Sequence, residues 1–222
     1  MVPAPPENLA GAEPASPGGS ATSARNLRSL RKRDAILGGA RREFLRHGYA
    51  ATSMDRIAAT AAVSKATVYS HFQDKQALFR ALTEQMVGER LADLFGVTPE
   101  QALPAEPIGA LRELAARCLA SAHSHPQFLS FLRLVIGESE RFPELARTFV
   151  AQLESIGVRH VVRLFEALAA GAEAELRARV FMGALVHLIL MQDVLDGRAV
   201  APVDRDAYAE LLLRLLSVPP AS

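Results

Sequence analysis

The sequence predicts an all-α protein, and three observations support that prediction. Ala, Leu and Arg, which are strong helix formers, are prominent in the 222 residues, whereas Trp is absent and aromatic residues make up only 6%. Apolar side chains recur at steps of three and four residues, as on one face of a helix. No stretch of useful length alternates apolar and polar residues in the manner of a half-buried strand.

The N-terminal segment, residues 1–24, is rich in Pro, Ala, Gly and Ser and has almost no large apolar side chains. Such a segment buries too little surface to offset its ordering entropy, so we predict that it is disordered. A basic run follows it, and a flexible basic arm of this kind could reach a DNA minor groove. The alternative is a solubilising tail followed by a charged first helical turn. The basic residues are Arg25, Arg28, Arg31, Lys32 and Arg33.

The first predicted helix covers residues 29–47, and three more short helical segments follow it. Gly48 lies just past its end, where a left-handed residue is expected. Thr52 and Ser53 offer capping hydroxyls, and Thr52 and Asp55 have the spacing of a capping box, so a second helix is predicted to run to about residue 61. Ser64 and Asp74 are placed to cap the third and fourth helices.

The second half of the chain is also predicted to be helical. Residues 96–107 form a Pro-punctuated connection, Pro126 and Pro143 fit first-turn positions, and Gly171 and Gly197 fit helix stops. The predicted helices cover residues 108–124, 127–137, 143–170, 173–196 and 204–217.

The net charge of +1 hides an asymmetry along the chain. Residues 25–90 contain 13 Lys and Arg against 6 Asp and Glu, a net charge of +7. Residues 91–222 contain 12 Arg and no Lys against 16 Asp and Glu, a net charge of −4. A basic segment joined to an acidic one indicates two roles, the first of which could involve a polyanion, although chance clustering of solvated charges is the alternative.

The third predicted helix combines a buried pair with a polar outer face. Val68 and Phe72 lie four residues apart and would pack on Ile57, Ala58 and the first helix, which exposes the other side. Small and hydrogen-bonding side chains on that side suit a helix that enters a DNA major groove. A helical hairpin with a merely polar surface fits the periodicity equally well. The outward and flanking residues are Lys65, Ala66, Thr67, Tyr69, Ser70 and His71.

The run from Thr52 to Phe79, TSMDRIAATAAVSKATVYSHFQDKQALF, strongly resembles the tetracycline-repressor (TetR) family of transcriptional regulators. The preceding FLRHGY resembles the end of that family's first helix, and the similarity covers about residues 29–85. It implies a helix-turn-helix DNA-binding domain over residues 25–80, with the motif at 53–72, and a helical effector-binding and dimerisation domain over residues 81–222.

The resemblance also implies roles for individual residues. Lys65, Ala66, Thr67 and Tyr69 match recognition-helix contacts, and Ser70 lies on the same outward arc. Positions that contact the DNA backbone are His71, Lys75 and either Thr52 or Ser53. Ala62 and Ala66 depart from the family, which usually has Gly there; a left-handed Ala62 would cost about 1 kcal/mol.

A second resemblance concerns the C-terminal half. RLVIGESERFPELA, residues 133–146, is similar to the effector domain of the AefR-like branch of the family. The family implies a homodimer through the last two helices, whose apolar residues Leu211, Leu212, Leu213, Leu215 and Leu216 fit a four-helix bundle. From the sequence alone, a monomeric bundle with one central helix remains open.

Apolar residues of the later helices are candidates for an effector pocket, although plain core packing explains each of them individually. His123 and His125 are not spaced for one helical face, and no set of Cys or carboxylate residues completes a metal site, so no metal and no cofactor are expected. We find no nucleophile–base pair or phosphate loop that would indicate an enzyme. The candidate pocket residues are Phe128, Phe131, Leu132, Val135, Phe149, Phe165, Phe181 and Met182.

The expected compartment is the cytoplasm. Cys118 is the single cysteine, which fits a reducing environment, and the first residues lack the features of a signal peptide. The most apolar window, residues 180–191, is too short to span a bilayer, so no membrane association is expected.

These observations predict a homodimeric repressor that leaves a palindromic operator in double-stranded DNA when it binds a small apolar effector. An activator or ligand-independent regulator is the first alternative. A helical small-molecule carrier or enzyme is the second.

Overall fold

The computed structural model describes residues 18–95, 106–120, 125–168 and 171–217. Within these ranges the protein is helical and has no strand, which confirms the predicted fold class. The α-helices are α1 (Gly18–Ala51), α2 (Met54–Thr60), α3 (Lys65–His71), α4 (Lys75–Phe95), α5 (Pro107–Ala120), α6 (Pro126–Glu138), α7 (Pro143–Gln152), α8 (Arg159–Ala167), α9 (Ala174–Ile189) and α10 (Arg205–Leu216).

Helix α1 begins earlier than the sequence predicts. It starts at Gly18, inside the segment 1–24 for which the sequence predicts disorder, and the basic run at residues 25–33 lies within the helix. Once a helix is nucleated, each added residue gains one hydrogen bond, and the Ala- and Ser-containing segment can therefore extend it. Residues 1–17 of the predicted tail lie outside the described residues.

Gly48 produces a kink near the end of α1. Its φ of 78° and ψ of 167° fall in a region that glycine adopts far more readily than other residues, as expected for a helix stop. The chain then turns into α2, where the side chain of Ser53 accepts a hydrogen bond from Arg56 N. Of the two predicted capping hydroxyls, Ser53 and not Thr52 therefore caps α2.

Helices α1–α4 surround the first of two hydrophobic cores, here called the N-terminal core. Val68 and Phe72 are buried in it at 0% and 6% exposure, and Ile57 and Ala58 of α2 belong to the same cluster, as predicted. The crossing of α1 over the end of α2 depends on Gly39. A Cβ there would lie 2.9 Å from the Cβ and 3.1 Å from the backbone nitrogen of Ala61.

Helices α5 and α8–α10, together with the end of α4, surround a C-terminal core. The predicted helix at 143–170 is α7 and α8 joined by a π-helical segment, Leu153–Val158, and α9 continues into a second one, Leu190–Val194. Gly171 has a φ of 52°, which fits the predicted stop, whereas Asp196 rather than Gly197 adopts the left-handed conformation at the end of the α9 segment.

The two cores meet along α4, α6 and α7. The boundary predicted at residue 80 falls inside α4, which is continuous from Lys75 to Phe95. Phe131, Val135 and Leu145 from α6 and α7 belong to the N-terminal core. Phe131 stacks on Phe79 of α4 with ring centroids 5.7 Å apart, so the motif is packed directly against the C-terminal half.

No helix among the described residues is long and apolar enough to cross a membrane.

Candidate functional site

Helix α3 exposes the face that the sequence predicts. Lys65, Ala66, Tyr69 and Ser70 are exposed, and Tyr69 retains 47% of its accessible surface. His71 is half-buried. Because Val68 and Phe72 hold the opposite side in the N-terminal core, this polar face is presented to solvent on a fixed support.

The turn before α3 contains a left-handed alanine. Ala62 has a φ of 54° and is exposed, so its methyl group has no packing role that would offset the unfavourable conformation. Its N–H donates to Ala59 O at 3.1 Å, and the N–H of Val63 donates to Ala58 O at 3.0 Å. The turn therefore has the geometry that favours glycine even though the residue is alanine.

Ser64 caps the start of α3, as predicted. Its hydroxyl oxygen accepts from Thr67 N at 3.1 Å and lies 2.8 Å from Thr67 Oγ1. Ser70 Oγ donates to Thr67 O at 2.8 Å. The hydroxyls of Thr67 and Ser70 are therefore oriented by local hydrogen bonds on the exposed face.

Lys65 forms an ion pair that the sequence does not indicate. Its Nζ lies 2.8 Å from Asp55 Oδ1 of α2, and both side chains are about three-fifths exposed at 60% and 62%. The hydrogen bond to Asp55 raises the pKa of Lys65. An exposed pair of this kind contributes little to stability, so the ammonium group can exchange partners at small cost.

Two predicted backbone-contact residues are instead used within the protein. Thr52 is 2% exposed, and its hydroxyl donates to Gly48 O at 2.8 Å and to Glu43 O at 3.2 Å. Lys75 Nζ donates to Tyr49 O and Thr52 O, each at 2.9 Å.

The ammonium group of Lys75 also lies 4.4 Å from the ring centroid of Tyr49, and burial lowers its pKa. Thr52 and Lys75 thus close the junction between α1 and α2. The geometry does not support a direct phosphate contact for either residue, whereas Ser53 is exposed at the start of α2.

A polar cluster ties α1 to α2 beneath the motif. Glu43 is 9% exposed, accepts from Thr60 Oγ1 at 2.6 Å and lies 3.1 Å from Arg56 Nε. The hydrogen bond from Thr60, followed by the charge of Arg56, lowers the pKa of Glu43 against the opposing effect of burial. Sequence reasoning missed this cluster, because its members come from two helices with no common period.

A cavity of about 290 Å³ lies between α4, α6 and α9. Five of the eight predicted pocket residues line it: Phe128, Leu132, Val135, Phe149 and Met182.

The other three predicted pocket residues do not line the cavity. Phe131 is fully buried in the N-terminal core. Phe165 and Phe181 pack against each other in the C-terminal core with ring centroids 6.1 Å apart. The prediction is wrong for these three, because their ring surfaces are taken up by neighbouring side chains.

The polar part of the cavity wall consists of residues that sequence reasoning did not assign to it. Arg90 is 8% exposed and, with Cys118 and His125, joins the apolar lining. Burial lowers the pKa of Arg90 and raises that of the Cys118 thiol to about 11. One signal was available, since Arg90 interrupts the apolar face of α4 between Val87 and Leu94.

Other polar candidates lie elsewhere. His160 packs its ring 4.3 Å from that of Phe95, and burial lowers its pKa; His187 is exposed. Neither lines the cavity. Among the described residues, no three His, Cys, Asp or Glu side chains are grouped so as to hold a metal ion. His123 lies outside those residues.

The cavity helix α6 also contacts the α1–α2 junction. Glu138, the last residue of α6, accepts hydrogen bonds from Tyr49 N at 2.9 Å and Ala50 N at 3.3 Å. These are the residues whose carbonyls accept from Lys75. One short segment after Gly48 is therefore bonded both to the start of α4 and to the end of α6.

Helices α9 and α10 expose apolar residues. Gly183 lies on α9, and a Cβ added there would meet no atom within 4 Å. The exposed large apolar residues of the two helices are Leu176, Val180, Val186, Leu211 and Leu215.

Comparison with known proteins agrees with this geometry. The model of the tetR family of bacterial regulatory proteins matches residues 36–82. The C-terminal domain model of AefR-like transcriptional repressors matches residues 109–210. The AefR-like resemblance predicted from residues 133–146 is thereby confirmed.

Individual proteins give the same result. The transcriptional regulator AcrR of Shigella flexneri is 29% identical over 54% of this chain and 55% of its own length. The transcriptional repressor AcnR of Corynebacterium diphtheriae is 41% identical over 24% of this chain and 28% of its own length. The solved structure of the flavonoid-responsive regulator FrrA is 29% identical, covers 84% of this chain and 95% of FrrA, and has a TM-score of 0.68.

The chain spans only part of the curated relatives that it matches, but two family models cover the motif and the C-terminal half in the expected order. The helix-turn-helix geometry, these matches and the similarity to FrrA agree on one assignment. The protein belongs to the tetR family of bacterial regulatory proteins.

Proposed function

We propose that the protein is a homodimeric transcriptional repressor that a small apolar molecule releases from a palindromic operator. The main support is the direct packing of the DNA-binding motif against a helix, α6, that also lines an apolar cavity. The names of two similar proteins agree with the two parts of the proposal: AcnR is called a repressor and FrrA is called flavonoid-responsive.

In this proposal, α3 enters the major groove of double-stranded DNA. Ala66 and Thr67 face base edges, where the Thr67 methyl and hydroxyl groups offer both apolar and hydrogen-bond contact. Tyr69, Ser70 and His71 bind the flanking backbone. Further contacts come from Lys65, which exchanges Asp55 for a phosphate, and from Ser53 at the start of α2.

The homodimer would form through α9 and α10. Val180 and Leu215 are 55% and 64% exposed, which leaves apolar surface that a second copy could cover. Gly183, with open space around it, would let the two copies of α9 approach closely. Dimerisation also places two recognition helices about one DNA turn, ~34 Å, apart, as a palindromic site requires.

A charge in this face would test the dimer. Val180→Glu should convert the protein to a monomer in size-exclusion chromatography with light scattering, because a dimer would bury the added carboxylate. Ala92→Glu, at an exposed position of α4, is the matched control and should leave the mass unchanged. A monomeric wild type, or a dimeric Val180→Glu, would argue against this interface.

Effector binding would reach the motif through α6. Phe128 and Leu132 face the cavity, whereas Phe131 and Glu138 of the same helix contact Phe79 and the backbone of Tyr49. A molecule that shifts α6 would therefore shift the support of α2 and α3. A coupling free energy of about 1–3 kcal/mol, typical of such systems, would lower operator affinity by roughly 5–150-fold.

Selection of binding sites from random duplex DNA, followed by gel-shift measurements, tests the proposal. The wild-type protein should select a two-fold symmetric sequence, and Tyr69→Ala should weaken its binding without changing the fold. Equal binding by the two proteins would refute the assignment of α3. Transcription in vitro from a promoter carrying the selected site should fall when the protein is added, and a rise would show an activator instead.

A further inference from the structure

Among the described residues of the cavity wall, Arg90 is a buried cationic side chain in an otherwise largely apolar lining. Arg90 is 8% exposed, and its guanidinium lies 5.9 Å from the ring centroid of Phe128. A guanidinium keeps its proton in proteins, so this position is charged whatever occupies the cavity. The lowered pKa of Arg90, caused first by burial, is consistent with a charge that water solvates poorly.

The neighbouring Cys118 does not neutralise that charge. Burial raises the pKa of its thiol to about 11, so near neutral pH the sulfur is protonated and uncharged. His125, the other ionisable residue in the described cavity wall, has Nε2 3.7 Å from Asp93 Oδ2. Among the described lining residues there is thus no carboxylate, whereas Arg90 and His125 can both donate hydrogen bonds.

Arg90, His125 and Phe128 also separate the cavity from a polar depression on the surface. The depression adds Arg41 of α1 and the acidic residues Glu89 and Asp93. Both acidic side chains are exposed, and the charge of Asp93 acts on Arg90 in the direction opposite to burial, raising the pKa of Arg90. A molecule in the cavity would meet the buried guanidinium at the end of the cavity that borders this depression.

We propose that the effector is an amphipathic organic acid, whose apolar body fills the cavity and whose carboxylate or similar anionic group binds Arg90 and His125. This inference rests on the proposed function, since it names the chemical class of the effector. The guanidinium loses most of its water when the protein folds, before any ligand binds. An anionic ligand therefore gains a charge-assisted hydrogen bond at a donor that is already desolvated and in place. The cavity volume of about 290 Å³ restricts the apolar body to a small molecule.

The test compares acids with neutral molecules of the same shape on the full chain. The probes are decanoate with decan-1-ol, and naphthalene-2-carboxylate with naphthalene-2-methanol, measured by calorimetry in the absence of DNA. In at least one pair, the acid should bind about tenfold more tightly than the alcohol. Equal affinities in both pairs, or no binding of any probe, would overturn the inference.

Variants assign the preference to Arg90. Arg90→Met retains an apolar side chain of similar length and should abolish the preference for the acid while the alcohol still binds. Arg90→Lys retains the charge and should preserve part of the preference. Leu132→Trp fills the cavity and should weaken both probes. An acid preference that persists in folded Arg90→Met would overturn the inference; if that variant does not fold, the wild-type comparison with Leu132→Trp decides.

Gel shifts with the same probes separate this inference from the proposed function. If acid and alcohol bind equally and both release DNA, the effector is not selected by charge and the proposed function stands. If the acid binds preferentially but DNA stays bound, the acid-binding inference stands and the release step of the proposed function fails.

Discussion

Replacing Ala62 by glycine should stabilise the protein, although it removes a side-chain atom. Ala62 has a φ of 54°, and this conformation costs a residue with a Cβ about 1–2 kcal/mol. The methyl group is exposed, so its removal leaves no cavity. Glycine adds freedom to the unfolded chain, which offsets about 0.4–1 kcal/mol of the gain. The net increase in the free energy of unfolding is therefore about 0.5–1 kcal/mol.

Urea and thermal unfolding, followed by far-ultraviolet circular dichroism at one protein concentration, measure this effect. The melting temperature of Ala62→Gly should rise by about 1–4 °C for a chain of this size. Ala59→Gly is the matched control, because Ala59 is also exposed but lies within α2. There the same substitution should lower the free energy of unfolding by about 1 kcal/mol.

The opposite signs at the two positions are the decisive result. If both substitutions destabilised the protein, strain at Ala62 would not be released by glycine, and the reasoning from φ would be wrong. Affinity for the selected DNA should stay within about twofold of the wild type in Ala62→Gly, because the substitution changes neither the backbone path nor a proposed contact.

Three further predictions concern packing, pH and the DNA face. Gly39→Ala should destabilise the protein by about 1–3 kcal/mol in urea unfolding, because the new methyl group would overlap Ala61. Gly38→Ala, with only the Arg42 side chain 3.6 Å from the added Cβ, should instead be neutral or stabilising. Since the native pKa of Glu43 lies below its ordinary value of 4.5, its charge stabilises the protein at neutral pH and loses this effect as pH falls through the native pKa. Glu43→Gln should therefore be less stable than wild type at neutral pH, with a difference that shrinks in acid. Tyr69→Phe should retain the melting temperature but bind selected DNA more weakly, because only the exposed hydroxyl is lost; unchanged affinity would exclude that hydroxyl from the contact.

The helix-turn-helix could be predicted from the sequence because local signals define it. Ser64 and Asp74 cap α3 and α4 as their positions indicate, and Asp74 Oδ1 accepts from Ala77 N at 2.7 Å. Val68 and Phe72 share a face by helical geometry alone. These features depend on residues within about one helical turn of each other, so no knowledge of the tertiary fold is required.

The roles of Thr52 and Lys75 could not be predicted in the same way. A hydroxyl or an ammonium group near a DNA-binding motif is equally compatible with a phosphate contact and with an internal hydrogen bond. The choice depends on where the carbonyls of residues 48–52 point, and that direction is set by the positive φ of Gly48. The carbonyls accept hydrogen bonds from Thr52 and Lys75. The residues that remain exposed for DNA contact are therefore those of α3 and Ser53.

Prediction of the cavity lining from the sequence is limited in a similar way. Phe128 and Phe131 are three residues apart on α6, and both fit an apolar face, but only Phe128 lines the cavity. Apolar periodicity indicates that a side chain points inward and does not reveal whether a neighbour fills the space opposite. That space depends on how α4, α6 and α9 are arranged.

Helix α6 contacts both the cavity and the junction between α1 and α2. Val135 belongs to the N-terminal core and also lines the cavity, and Glu138 bonds to the backbone next to Gly48. Closely packed interiors do not deform continuously, so a bound molecule that displaces α6 must also alter the contact between Phe131 and Phe79. The junction that uses Thr52 and Lys75 internally is therefore the same junction through which the cavity would act on α2 and α3. In the proposed mechanism, Thr52 and Lys75 would hold together the junction that transmits the state of the cavity to the DNA-binding face.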